Sequence, residues 1–144
     1  MKKLKSHLPS IIVILVFFYT LPAKFTRSEE IQEVFMATGQ GFGQVGERFG
    51  SIGGIFGEVG IYTIAALETL TVIFLIAGIW NMRLKFYGAI ISTIVLLGAL
   101  YAHLFTPLGV NVAGDNGFLF ILAIIASIAT GFILKKTYKA SIIS

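Results

Sequence analysis

Residues 59–82 read VGIYTIAALETLTVIFLIAGIWNM, an apolar run interrupted by a single charge, Glu68. About 20 apolar residues in a helix cross the hydrocarbon core of a bilayer, so this stretch has the length and composition of a membrane span. Three more runs resemble it: Leu8 to Ala23, Phe86 to Ala113 broken only by His103, and Asn116 to Leu134. The whole chain of 144 residues is 56% hydrophobic and 12% charged, with a mean hydropathy of +0.90. A soluble domain of this length has no interior large enough for that much apolar surface. The reading is therefore an all-α polytopic membrane protein. It is a single domain, a four-helix transmembrane bundle with spans at about 8–23, 60–80, 85–105 and 117–134 and a long helical connection over 24–59.

The basic residues orient the bundle, because short loops rich in Lys and Arg stay cytoplasmic. With four spans, Lys2, Lys3, Lys5, Arg83, Lys85, Lys135, Lys136 and Lys139 share one side. Lys24, Arg27 and Arg48 fall on the other, together with Glu29, Glu30, Glu33, Glu47, Glu58 and Asp115. Both termini are expected in the cytoplasm, with the bundle in the cell (inner) membrane. A second reading takes Lys2 to Lys5, the first apolar run and Leu21-Pro22-Ala23 as a secretory signal with its cleavage site, which would leave three spans. The bilayer is the expected partner, and a nucleic acid is not: the net charge of +4 follows from topology, and the Lys clusters are short and adjacent to the membrane. With no cysteine, disulfides and thiolate metal sites are excluded.

The first span is expected to end at Thr20-Leu21-Pro22-Ala23-Lys24, where Pro22 discourages a straight continuation and Lys24 can snorkel toward head groups. Beyond it, Ser28 is a candidate N-cap, acids fill the first turn, and Ile31, Val34 and Phe35 repeat at helical spacing, an amphipathic helix at the outer surface. Next comes FGQVGERFGSIGGIFGEVG, residues 42–60, whose period is seven. Gly39, Gly43, Gly46, Gly50, Gly53, Gly57 and Gly60 form one stripe, beside Phe42, Val45, Phe49, Ile52, Phe56 and Val59. Alternating spacings of three and four describe a helix face, not a strand. Gly41 to Gly46 match a G-x-G-x-x-G string, but no strand precedes them, so a phosphate loop is set aside. Two readings remain: a flexible linker, or a helix or helical hairpin whose glycine stripe admits another backbone. In the second reading the stripe also serves as a contact in a homo-oligomer. Later, Gly88, Ser92, Ala99 and Ala102 mark a packing face on the third span, and Ala123, Ser127, Thr130 and Gly131 one on the fourth.

Candidate chemistry centres on Glu68. An ionisable group inside a span costs roughly 3 kcal/mol at mid-bilayer and needs a partner or a cavity. It lies about 12 Å in from the outer side, counted from Gly60. His103 and Tyr101 of the third span, and Tyr19 and Lys24 of the first, fall near the same end and can converge with it on one polar pocket. Glu68 either exchanges protons there or fixes packing through hydrogen bonds, and His103 equally can sit at the head-group boundary. No metal cluster, nucleophile–base pair or cofactor-attachment motif is visible, so no catalytic or metal residue and no cofactor are assigned.

Four stretches carry a family resemblance: Pro22-Ala23-Lys24-Phe25-Thr26 followed by Glu30-Ile31-Gln32-Glu33-Val34-Phe35, then Ala66-Leu67-Glu68, and Gly98-Ala99-Leu100-Tyr101-Ala102-His103-Leu104-Phe105. They resemble DoxX-like integral membrane proteins, in which a lysine ends span one, a Glu sits early in span two, and a small-residue stretch ending in His closes span three. The resemblance implies a compact four-helix bundle. For some members it implies association with respiratory or redox complexes, including a small subunit of a thiosulfate:quinone oxidoreductase. The expectation is an accessory subunit of a membrane redox or stress-related complex, without catalysis of its own. The alternatives are a quinone-binding, proton-relaying oxidoreductase subunit and a scaffold that oligomerises through the glycine stripe. The glycine heptads depart from the shorter connection usual in that family.

Overall fold

In a computed structural model the chain is all-helical, with five helices: α1 (Lys2–Phe25), α2 (Glu29–Gln44), α3 (Glu47–Ala77), α4 (Met82–Phe105) and α5 (Phe118–Ile143). The structure describes residues 2–26, 29–44, 47–106, 108–112 and 115–143; its account of side chains covers 7–26, 31, 32, 34–41, 59–106, 108–112 and 115–138. Four helical segments are long and apolar enough to cross a membrane: His7–Phe25, Val59–Ala77, Met82–Phe105 and Phe118–Tyr138. The chain is a multi-pass membrane protein. Helices are the natural form for these runs, since in hydrocarbon every backbone N–H and C=O must be satisfied within its own segment. Side-chain hydroxyls follow the same rule. Those of Thr63, Thr69, Thr71, Thr93, Ser127 and Thr137 each donate to the carbonyl four residues back.

The spans close as a ring in which α1 packs on α3 and α5, α3 on α4, and α4 on α5. The shared core runs through Val13 and Phe17 of α1, Val72 and Leu75 of α3, Ala89, Val95 and Leu96 of α4, and Ala123, Ala126, Ala129 and Ile133 of α5. The outer faces stay apolar for lipid: Leu15, Phe18, Ile94, Leu97, Ile128 and Phe132 are all exposed. One buried polar bridge crosses the core, between the hydroxyls of Ser92 and Thr130 at 3.0 Å. Asn81 caps α4 by accepting from the Arg83 N–H at 3.0 Å, which closes the short α3–α4 turn.

The first helix ends just past the Thr20–Lys24 stretch, running through Pro22 to Phe25, and the Pro22 carbonyl accepts from both the backbone N–H and the hydroxyl of Thr26. A proline in the last turn removes only one intrahelical bond, and the helix keeps Lys24 on the same face as Thr20. Two expectations are corrected. The second span stops at Ala77, with residues 78–80 forming the turn that had been assigned to the helix. Gly131 is exposed, facing away from the packing surface that Ala123 and Thr130 supply, because the position next to Thr130 is turned about 100° from it.

The glycine-rich connection is helical on both sides of residues 45–46. α2 and α3 pair more extensively than any other two helices, and α2 also meets α4. Ile31 and Phe35 of α2 bury against Ile61 of α3, with Ala23 and Ile64 beside them, so these residues of its apolar face are spent on protein. Gly39, Gly41 and Gly60 are buried. Gly43, Gly50, Gly53 and Gly57 lie in the helices, but their surroundings are outside the described residues, as is Gly46 altogether; so is the candidate cap Ser28. A Cβ at Gly41 would stand 2.5 Å from Thr106 Cγ2, so absence of a side chain there lets α2 close over the end of α4.

Close approach has its sharpest test at Gly78, where a Cβ would lie 2.7 Å from Lys85 Cα and 2.9 Å from Lys85 N. Gly78→Ala must displace backbone and is expected to destabilise the bundle by about 1–3 kcal/mol. Gly98 has nothing within 4 Å of such a Cβ. Gly98→Ala is expected to be neutral or to stabilise by up to about 1 kcal/mol through helix propensity. Thermal unfolding of both variants in one detergent checks the pair.

Candidate functional site

Glu68 sits on α3 nine residues beyond Val59, about 14 Å along the helix. It is 4% exposed, and Lys24, from the last turn of α1, is 6% exposed. Lys24 Nζ lies 3.0 Å from Glu68 Oε2, and the Thr20 hydroxyl, one turn before Lys24, donates to the same oxygen at 3.3 Å. The Thr20 hydroxyl also lies 3.3 Å from the Phe17 carbonyl, so its single hydrogen is shared between two acceptors. The carboxylate thus binds α1 to α3 through one shared oxygen. An ion pair taken out of water must offset the desolvation of both charges, which it does only with good geometry and added hydrogen bonds.

Above and beside this pair is a cavity of about 630 Å³. Its walls are mostly apolar, among them Phe17, Ile64, Ala99, Ala102 and Leu122, with α2 contributing Ile31, Val34, Phe35 and Thr38. Exposed Ile94 and Gly98 of α4 line it as well, so the cavity reaches the lipid-facing side of that helix. Polar groups enter from several elements: Tyr19, Thr20 and Lys24 on α1, Glu68 on α3, His103 on α4, and Asp115 before α5. An apolar chamber with a few convergent polar groups has the character of a small-molecule site.

His103 is 8% exposed and its Nδ1 lies 2.9 Å from the Gly109 carbonyl. A carbonyl only accepts, so Nδ1 carries the hydrogen, and in the neutral ring Nε2 is left as an acceptor. The ring packs edge-on against Phe120, with centroids 5.5 Å apart. Tyr19 meets Phe118 in the same way at 5.6 Å, tying α1 to the start of α5. Asp115 organises the loop ahead of α5: its carboxylate accepts from the N–H groups of Val112 at 3.0 Å, Gly117 at 2.9 Å and Leu119 at 2.9 Å. Partial desolvation pushes this carboxyl up, but those backbone donors and the nearby His103 outweigh it and hold it below the usual carboxylate range. The loop needs Asn116 and Gly117 at positive φ, 54° and 80°.

Of the residues singled out in the sequence, Glu68, Lys24, His103 and Tyr19 meet at this cavity. Tyr101 does not line it; the ring stacks on Phe105 with centroids 5.5 Å apart. Two residues from His103 on a helix is a turn of about 200°, so the two side chains leave opposite sides of α4. Thr20, Thr38 and Asp115 were missed as site residues. Thr20 had a legible signal in its spacing of four before Lys24, and Asp115 in the Asp-Asn-Gly sequence just ahead of a helix. Among the described residues no group of three or more His, Asp or Glu side chains is placed to hold a metal.

Removing one partner strands the other charge. Glu68→Gln is expected to destabilise the bundle by about 3–5 kcal/mol, whereas the double variant Lys24→Met/Glu68→Leu recovers most of that loss. Chemical unfolding in mixed micelles measures both. Because the folded Asp115 carboxyl ionises below its unfolded value, its contribution is present at neutral pH and lost as pH falls through the folded value. Wild type is therefore expected to lose more stability than Asp115→Ala on acidification below the ordinary aspartate range, the gap between their unfolding midpoints closing. No protein family, curated protein or solved structure matches the chain.

Proposed function

We propose that the chain is a DoxX-like accessory subunit of a membrane redox complex, and that its cavity holds a lipophilic ring compound of the quinone class. The observation that carries this reading is the cavity itself: about 630 Å³, mostly apolar, reaching the lipid-facing side of α4, with a fixed ion pair and an imidazole on its walls. A quinone has the matching chemistry. Its ring and tail are at home among Phe17, Ile64 and Leu122, and its carbonyl oxygens accept hydrogen bonds from groups such as the Lys24 ammonium or the Tyr19 hydroxyl. In this reading the cavity lies in the outer half of the inner membrane and both termini are cytoplasmic, as the Lys and Arg distribution implies. The chain itself then binds and orients. Glu68, tied to Lys24 and Thr20, serves to hold a preformed site more than to relay protons.

Gentle extraction followed by intact mass under non-denaturing conditions tests the reading. The expected result is the chain carrying a lipophilic adduct and travelling with oxidoreductase subunits. Ala99→Phe, which fills the cavity from α4, is expected to lose the adduct and keep the fold. A bare homo-oligomer with no adduct overturns the reading in favour of a self-associating scaffold.

A further inference from the structure

The opposite end of the bundle holds a buried cation that no acidic side chain among the described residues neutralises. Lys85, in the first turns of α4, is 3% exposed, and its Nζ lies 3.4 Å from Nδ1 of His7 on α1. An imidazole nitrogen accepts one hydrogen bond, so two of the three ammonium donors are unused. No carboxylate side chain is available to them. All acidic residues of the sequence fall within 29–68 or at 115, and the nearest along α3, Glu68, is nine residues before its end at Ala77, about 14 Å up the axis, where it is held by Lys24.

Charge of both signs surrounds it. The C-terminus of α3, whose next residue Gly78 lies against the Lys85 backbone, brings the negative end of that helix, while Lys136 of α5 repels Lys85. The N-terminus of α4 points its positive dipole end here, and its first turn contains no acid but does contain Arg83. One turn along α1 from His7, on the same face, Ser10 is 4% exposed, and its hydroxyl is the one buried side-chain polar atom among the described residues without a hydrogen-bond partner. A buried ammonium, a helix N-terminus and a cationic neighbour together are what an oxyanion requires.

We propose that this end of the bundle is a phosphate-binding site, filled by the phosphodiester of an anionic lipid headgroup or by free phosphate. Lys85 is the charged ligand, and His7 positions its ammonium. The site stands about 26 Å along α1 from Lys24 and does not depend on what the cavity binds.

The test uses the full chain in phosphatidylcholine nanodiscs and measures the unfolding midpoint and native mass on addition of phosphatidylglycerol, further phosphatidylcholine, or inorganic phosphate. Phosphatidylglycerol is expected to raise the midpoint and to remain bound in the mass spectrum, with at least about tenfold weaker retention in Lys85→Gln and no change in Lys135→Gln, an exposed lysine of α5. A midpoint raised equally by inorganic phosphate assigns the site to free phosphate; a rise with the lipid alone assigns it to the headgroup. Wild type indifferent to both anions overturns the proposal, as does equal loss of retention in the two variants. The wild-type comparison stands even if Lys85→Gln fails to fold.

Discussion

The contact between Lys24 and Glu68 fixes more of this molecule than any other. Apolar helices in lipid have no hydrophobic reason to choose one register over another, since tails and leucines are alike to them. A buried ion pair does have a preferred register, because sliding α1 against α3 by one turn would leave two charges in hydrocarbon. The continuation of α1 through Pro22 follows from the same need: without its last turn Lys24 would not reach a carboxylate so far below the helix end. Once that register is set, Thr20 falls on the shared oxygen, Phe17 takes its place in the core, and the cavity acquires its polar wall.

Much of this was legible in the sequence, for a physical reason. Charges inside apolar runs are costly, so Glu68, Lys24 and His103 announce themselves by being where they should not be. The four spans announce themselves by length and composition. What failed to show was direction around a helix. Tyr101 and His103 look like neighbours on the page and leave α4 on opposite sides; Gly131 looks like part of a small-residue face and points outward. Lys85 illustrates a different failure. Its place in a basic loop suggested a solvated charge setting topology, yet the tight turn at Asn81 folds it beneath α1, and burial cannot be read from a residue type that so often snorkels.

The glycine heptads show why periodicity alone could not decide between linker and helix. The spacing was helical, but nine glycines in open water argue against a helix. The fold resolves the conflict by packing two helical arms against each other, so that the arm in α2 has α3 and the end of α4 as neighbours. Tertiary contact supplies what propensity lacks.

α3 is unbroken from Glu47 to Ala77, about 46 Å of helix, which is longer than the roughly 30 Å of a hydrocarbon core. A torque on one end of such a helix is transmitted to Glu68 unless the helix itself bends, and α1, joined there through Lys24, takes up the reaction. The ion pair then stands at the pivot of a lever, with the cavity beside it.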